Sequence, residues 1–261
     1  MIKLIATDMD GTLLNEHGKL PEDFFETLEK LKAKNVKFAV ASGRPYVTLY
    51  ENFKPYSDDI YYICDNGAYV VGHDGQPEIS VINKDVVNKI IDASAGMENV
   101  ELILCGKKFM YHRKCCAEIQ KEIDKYYINK KIVSDLKDID DDIFKIAVCD
   151  LNGSSEHSYK ILEPLFGSDF KVVVSGTIWV DIMNKNINKG AALKQLQKED
   201  NITFEETMVF GDFYNDVDML KEGYYSFVME NANDDMKQYG RFIADSNKNN
   251  GVIKAINEYV L

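Results

Sequence analysis

The stretch "IKLIATDMDGTLL" (residues 2–14) places two aspartates at the end of an apolar run. Residues 2–7 predict a strand that is buried on both faces of a parallel sheet. Asp8 and Asp10 come at the end of this strand, where two like charges repel each other and burial strengthens the repulsion. The pattern therefore indicates that a positive group from outside this stretch balances them.

The chain on either side of this strand alternates apolar runs with helical spacing. A helix is predicted over residues 21–34, and strands are predicted from Val36 and from Tyr61. A further helix begins at Lys189, and the last one covers residues 251–261. Strands joined by helical crossovers favour an α/β fold with a Rossmann-like parallel-sheet core.

The middle of the chain has a different pattern. Closely spaced strand-like runs at residues 100–106 and 108–112, and a hairpin over residues 169–183, predict a smaller α+β unit with an antiparallel sheet. We therefore expect a discontinuous core formed by residues 1–83 and 185–261, with residues 84–184 inserted as a separate domain.

Composition limits the possible partners and the compartment. The chain has 261 residues and a formal net charge of -12, which disfavours non-specific binding to nucleic acid or to an anionic membrane. It has no apolar run of membrane-spanning length and no signal-peptide pattern. The five cysteines include no C-x-x-C pair, which is typical of reduced thiols. We expect a cytoplasmic protein, and the oligomeric state stays open.

Four polar motifs follow strands or open a helix of the predicted core. They are "DMDGT" (residues 8–12), "SGR" (42–44), Lys189 and "GDFYND" (211–216). Each motif alone is also typical of ordinary turns and helix caps. In open α/β sheets, however, ligands bind at the carboxyl ends of the strands. We therefore expect the four motifs to form one site.

The four motifs, in this order, resemble those of the haloacid dehalogenase-like phosphatases. "DMDGTLL" is similar to the D-x-D-G-T-L motif of that family, and "GDFYND" to its G-D-x-x-N-D motif. The position of the long insert resembles that of the Cof-like sugar-phosphate phosphatases, which have a class IIB cap. The resemblance covers essentially the whole chain and implies that the inserted domain is an α+β cap.

The resemblance also implies a role for individual residues. Asp8 corresponds to a nucleophile that attacks phosphorus, Asp10 to a general acid and base, and Lys189 to the cation that neutralises the developing charge. Mg²⁺ is the implied cofactor, with ligands from Asp8, Asp10 (through its backbone carbonyl) and Asp212, and with Asp216 close by. The implied phosphate- and substrate-binding residues are Ser42, Gly43, Arg44, Asn66 and Asn215.

The implied activity is a Mg²⁺-dependent phosphomonoesterase that hydrolyses a small phosphorylated metabolite, expected to be a sugar phosphate, through an aspartyl-phosphate. Neither nucleic acid nor a membrane is an expected partner. A phosphomutase of the phosphomannomutase type, and a catalytically idle ligand-binding protein on the same fold, are the alternatives.

The sequence departs from the family pattern at several positions. Phe213 and Tyr214 are bulkier than the residues that often stand there, and Asp65 replaces a Ser before Asn66. The pair Asn66-Gly67 is also compatible with an ordinary hairpin turn. In the inserted domain, Asp181 is a candidate for substrate contact.

Overall fold

The computed structural model describes residues 1–72 and 74–261. The strands are β1 (Leu4–Asp8), β2 (Lys37–Ala41), β3 (Ile60–Cys64), β4 (Tyr69–Val71), β5 (Pro77–Ile79), β6 (Val100–Gly106), β7 (Met110–His112), β8 (Lys130–Ile132), β9 (Ile143–Asp150), β10 (Phe170–Gly176), β11 (Trp179–Asn184), β12 (Thr207–Gly211), β13 (Tyr225–Met229) and β14 (Phe242–Ala244). The helices are α1 (Phe24–Ala33), α2 (Tyr46–Asn52), α3 (Lys84–Ala93), α4 (Ala117–Tyr126), α5 (Ser158–Phe166), α6 (Lys189–Glu199), α7 (Val217–Leu220) and α8 (Gly251–Tyr259).

The chain forms two compact units. One consists of Met1–Glu78 together with Asn188–Leu261, and the other of Ile79–Ile187. The chain passes from the first unit to the second between Glu78 and Ile79, and returns between Ile187 and Asn188. The role of the inserted unit as a cap stays a prediction.

The first unit contains an eight-stranded sheet in the order β14-β13-β12-β1-β2-β3-β4-β5. Neighbouring strands from β14 to β3 run parallel, whereas β3 and β4 are antiparallel. The α/β fold with a parallel-sheet core is therefore confirmed. All five residues of β1 are buried, because this strand lies between β12 and β2 in the interior of the sheet.

Helices cover both faces of this sheet. On one face, Ile5 of β1 belongs to an apolar cluster that includes Phe24 of α1 and Ile253 of α8. On the other face, Leu4 and its neighbours pack with Leu193 of α6 and with residues of α7. Successive residues of a strand point to opposite faces, and the uninterrupted apolar run of β1 supplies both layers.

The second unit contains a six-stranded sheet in the order β10-β11-β9-β6-β7-β8. The strands pair antiparallel except β7 and β8, which are parallel. The sheet is therefore antiparallel, as expected, except at β8, a strand that the sequence did not predict. The physical reason is α4, which connects β7 to β8 and provides the helical crossover that a parallel pair needs.

Three short elements were not predicted from the sequence. These are α2, β5 and β8, which have seven, three and three residues. The predicted strand from Tyr61 ends at Cys64, and the turn Asp65–Gly67 separates it from β4.

Within the described residues, no helix combines the length and the apolar character that a membrane crossing requires.

Candidate active site

The carboxyl edge of the parallel sheet carries the polar motifs. Asp8 is the last residue of β1, and Ser42 directly follows β2. Asp212 directly follows β12, and Lys189 is the first residue of α6. Because parallel strands all end at the same edge, residues that are far apart in sequence meet there.

Lys189 links two of the carboxylates. Its side chain is 0% exposed, and its Nζ donates to Asp8 Oδ1 at 2.6 Å and to Asp216 Oδ1 at 2.7 Å. The start of α6 is fixed by Asn188, whose side chain accepts from the backbone N–H of Ala191 at 2.7 Å. The helix start therefore places a buried ammonium group between two buried carboxylates.

Asp216 orders the loop that carries Asp212. Its Oδ2 accepts the backbone N–H groups of Asp212 and Phe213, both at 3.1 Å, while its Oδ1 accepts from Lys189. Gly211 has no side chain at this point, and a Cβ there would overlap the side chain of Asp216. Both carboxylate oxygens of Asp216 therefore accept hydrogen bonds from other groups of the protein.

Asp212 is held by the loop that follows β1. The hydroxyl of Thr12 donates to Asp212 Oδ1 at 2.9 Å. Gly11 has a φ of 81°, and a Cβ there would overlap Asp212 Oδ2. The carbonyl of Gly11 accepts from Asn231 Nδ2 at 2.8 Å. The sequence assigned no role to Thr12 or Asn231; Thr12 stands within "DGT", whereas nothing in the sequence marks Asn231.

Asp8, Asp212 and Asp216 form a group that suits a divalent cation. One ligand atom from each lies within 4.8 Å of the others, and no other such group of three occurs among residues 1–72 and 74–261. A single lysine cannot neutralise three carboxylates. Carboxylate oxygens are the ligands that Mg²⁺ prefers, so the donor set fits this ion.

The pKa values reflect this excess of negative charge. The pKa of Asp8 is raised to about 7, and burial is the largest cause. Lys189 opposes this rise, whereas the charges of Asp216 and Asp212 contribute to it. Burial also raises the pKa of Asp212, although the hydrogen bond from Thr12 opposes the rise. Burial lowers the pKa of Lys189, but the charges of Asp8 and Asp216 outweigh it, so its pKa is raised overall.

Ser42, Gly43, Asn66 and Asn215 form a second connected group. Asn66 donates its backbone N–H to the carbonyl of Ser42 at 3.0 Å, and Asn215 Nδ2 donates to Asn66 Oδ1 at 3.1 Å. A Cβ on Gly43 would lie 3.2 Å from Nδ2, the side-chain amide nitrogen of Asn66. The turn at Asp65–Gly67 thus brings Asn66, at a φ of 56°, beside the loop that follows β2.

Arg44 holds the side chain of Asp10. Its Nε donates to Asp10 Oδ2 at 2.9 Å, and its Nη2 donates to Asp10 Oδ1 at 2.5 Å. The Asp10 carboxylate is exposed and does not belong to the three-carboxylate group. The structure therefore brings Arg44 to Asp10, while the sequence-based role of Arg44 in phosphate binding stays a prediction.

The inserted unit contains Asp181, the candidate for substrate contact, and next but one to it the single tryptophan of the chain, Trp179. Trp179 is buried and packs edge-to-face against Tyr126 and Tyr127, with ring centroids 5.7 Å and 6.0 Å away. Asp181 is also buried. It lies on the face of β11 opposite Val180 and Ile182, which belong to the apolar core of this unit.

The chain is similar to known proteins over almost its whole length. Residues 5–256 match a family model described as haloacid dehalogenase-like hydrolase. The 5-amino-6-(5-phospho-D-ribitylamino)uracil phosphatase YbjI of Escherichia coli is 32% identical, over 98% of this chain and 96% of that protein.

Solved structures share the whole fold. A protein from Thermotoga maritima has a TM-score of 0.90 and 26% identity, and the match covers 100% of this chain and 98% of that one. The haloacid dehalogenase subclass IIB sugar phosphatase BT4131 has a TM-score of 0.77 at 22% identity, with 98% of each chain covered. The latter similarity extends to the fold alone.

Proposed function

Since the chain belongs to the haloacid dehalogenase-like hydrolases and is a phosphatase, we propose that it hydrolyses a phosphomonoester through an aspartyl-phosphate on Asp8 and requires Mg²⁺. The observation that carries this proposal is the group of Asp8, Asp212 and Asp216 around the buried Lys189. The substrate is a small phosphorylated sugar or sugar alcohol. A relative named for a phosphoribityl compound supports this substrate class.

In the first step, Asp8 attacks the phosphorus atom. The hydrogen bond from Lys189 is made to Oδ1 of Asp8. The other oxygen, Oδ2, is therefore available for the attack. A bond forms between this oxygen and phosphorus while the bond to the substrate oxygen breaks. Asp10 gives its proton to the departing alkoxide, which would otherwise be a poor leaving group.

In the second step, water hydrolyses the aspartyl-phosphate. Asp10, now ionised, takes a proton from the water as the water attacks phosphorus, and Asp8 is released. The two-point contact from Arg44 sets the position of the Asp10 carboxylate. Since the same group acts first as acid and then as base, its position affects both steps.

The phosphoryl oxygens require positive charge and hydrogen-bond donors. Bound Mg²⁺ would neutralise charge on the phosphoryl group, held by Asp8 and Asp212 with Asp216 orienting the loop. The Ser42 hydroxyl, the Gly43 N–H and the side-chain amides of Asn66 and Asn215 would donate to the phosphoryl oxygens. Lys189 neutralises Asp8 and the charge that develops beside it.

The proposal is tested by a screen of phosphorylated metabolites with free phosphate as the readout. We expect phosphate release in Mg²⁺, its loss after treatment with chelator, and its return when Mg²⁺ is restored. Ca²⁺ should not substitute well, because it accepts more ligands and binds a carboxylate through both oxygens, which would occupy Asp8.

The same assay separates the alternatives. Transfer of the phosphoryl group to a second sugar without free phosphate would indicate a mutase. Metabolite binding without any turnover would indicate an idle ligand-binding protein. Full phosphate release in chelator would contradict the role of Mg²⁺.

A further inference from the structure

The loop that follows β1 contacts two other segments through Gly11. A Cβ on this residue would overlap Asp212 Oδ2, so its backbone lies directly against that carboxylate. The next residue, Thr12, donates its hydroxyl to Asp212 Oδ1 at 2.9 Å. The Gly11 carbonyl accepts from Asn231 Nδ2 at 2.8 Å. The position of Gly11 therefore depends on Asn231 and affects Asp212.

Two asparagines from separate loops hold this loop at two points. Asn231 follows β13, and its Oδ1 accepts the backbone N–H of Asn247, which follows β14, at 3.0 Å. Asn247 in turn donates its Nδ2 to the carbonyl of Leu14 at 2.8 Å. Both polar atoms of the Asn231 amide are thus engaged by backbone groups. This one side chain therefore joins the loops after β1, β13 and β14.

The backbone that carries Asn231 is itself held in place. The N–H of Glu230 donates to the carbonyl of Ala244 at 2.9 Å. The ammonium group of Lys237 donates to the carbonyls of Met229 and Glu230, the second at 2.6 Å. Because the backbone on which it stands is already fixed, the Asn231 amide loses little further freedom when it supports the neighbouring loop.

We propose that Asn231 is a positioning residue for the reaction, which sets the Gly11 carbonyl and with it the loop that carries Asp10. This inference rests on the proposed phosphatase function and adds to it a residue outside the four motifs. Asn231 is exposed, so water can replace its hydrogen bonds, and their loss should leave the protein folded. A shift of about 1 Å in a reacting group nevertheless costs on the order of a hundredfold in rate.

The test measures kcat and KM for the best phosphorylated substrate in two variants of Asn231. Asn231→Ala removes the amide, whereas Asn231→Asp keeps its shape and the acceptor for Asn247 but, when ionised, cannot donate to Gly11. We expect both variants to lower kcat roughly 10- to 100-fold, as when a partner that orients a reacting group is lost. KM should change by no more than about twofold, because Asn231 supports the reacting groups rather than the substrate.

Asn129→Ala is the matched control. Asn129 is also an exposed asparagine, and its Nδ2 donates to the backbone carbonyl of Lys108 at 2.9 Å. It lies in the second unit, which carries none of the residues assigned to the chemistry. The control removes a hydrogen bond of the same kind and should leave kcat and KM unchanged.

Amide hydrogen exchange tests the contact without any turnover. The N–H of Leu14 donates to the carbonyl of Met9 at 2.9 Å, and its exchange therefore reports on the order of the loop after β1. We expect Leu14 to exchange roughly two- to tenfold faster in Asn231→Ala, the factor that corresponds to the loss of one hydrogen bond. The exchange rate should be native in Asn129→Ala.

The two measurements separate this inference from the proposed function. A native kcat in either variant of Asn231, a rise in KM alone, an equal loss in Asn129→Ala, or an unchanged exchange rate of Leu14 would overturn the positioning role. If the native protein releases no phosphate from any substrate, the proposed function is contradicted, and the exchange rate of Leu14 alone decides whether Asn231 holds the loop.

Discussion

At the scale of single residues, the pairing of Arg44 with Asp10 leads to a prediction about leaving groups. Arg44→Ala should lower kcat/KM for a sugar phosphate roughly 10- to 100-fold, as expected when a partner that orients a reacting group is lost. The loss should be smaller for nitrophenyl phosphate, because nitrophenolate leaves without a proton. Arg44→Lys should not restore activity, since an ammonium group cannot make the two parallel hydrogen bonds.

Steady-state kinetics on both substrates measure this difference, and Asp10→Ala should show the same pattern. Arg241→Ala is the control, because Arg241 stacks on Tyr224 and has no contact with Asp10. An equal loss on both substrates would instead assign Arg44 to phosphate binding.

The raised pKa of Asp8 predicts that binding of Mg²⁺ depends on pH. In the metal-free protein this pKa is about 7, so below that pH a proton competes with the metal for the carboxylate. The affinity for Mg²⁺ should therefore be high above pH 7 and should fall by about tenfold as the pH is lowered from 8 to 6. Calorimetry in buffers of different ionisation enthalpy should detect proton release near pH 7. A constant affinity over this range would contradict the assignment of Asp8 as a ligand.

At the scale of elements, the loop after β1 predicts a specific role for Gly11. Gly11→Ala adds a Cβ that overlaps Asp212 Oδ2, at a φ of 81°. The resulting shift of Asp212 should lower kcat/KM on the order of a hundredfold, the effect expected when a group in the site is misplaced by about 1 Å.

Gly18→Ala is the matched control for this loop. Gly18 has a φ of 70°, but no heavy atom lies within 4 Å of its added Cβ. Gly18→Ala should lose roughly 1–2 kcal/mol in the free energy of unfolding, because it forces alanine into the left-handed region. Gly11→Ala should lose this and more, because its Cβ also displaces Asp212. Only Gly11→Ala should lose activity, and similar activity in the two variants would contradict the close approach of Asp212.

The elements that the sequence predicted correctly have a strong pattern. The apolar run of β1 is long enough to fill both faces of the sheet, and the carboxyl edge follows from the order of strands and helices. By contrast, β5 and β8 have three residues each, too few to establish a period. The parallel direction of the pair β7 and β8 follows from the helix α4 that connects them. The alternation of residues within a strand does not show in which direction its neighbour runs.

The sequence predicted which motifs form the site but not the individual contacts between side chains. The motifs brought Asp8, Asp212, Asp216 and Lys189 together on sequence grounds, because each lies at the end of a strand, directly after one, or at the start of a helix. The contact between Arg44 and Asp10 could not be predicted, since it depends on side-chain conformations in two separate loops. The hydrogen bond from Asn231 likewise joins segments 220 residues apart.

At the scale of the whole molecule, we propose that the inserted unit determines which substrates are used and does not carry the chemistry. All the residues assigned to the chemistry lie in the first unit. Asp181→Ala should then change kcat/KM unequally among sugar phosphates and leave nitrophenyl phosphate nearly unchanged. Leu165→Ala, at an exposed position of α5, is the control and should change neither. Equal kcat/KM ratios in the native protein and Asp181→Ala would contradict this role of Asp181.

The central claim, covalent catalysis by Asp8, is tested most directly by trapping the phosphorylated protein. Asp10→Ala is suited to this, because nitrophenolate leaves without a proton while hydrolysis of the intermediate lacks its base. Acid quenching within the first turnover of labelled nitrophenyl phosphate should yield protein-bound phosphate that is removed by hydroxylamine and maps to Asp8. The double variant with Asp8→Asn should carry none. Release of nitrophenol and phosphate at equal rates, with no phosphate on the protein at any time, would contradict the claim.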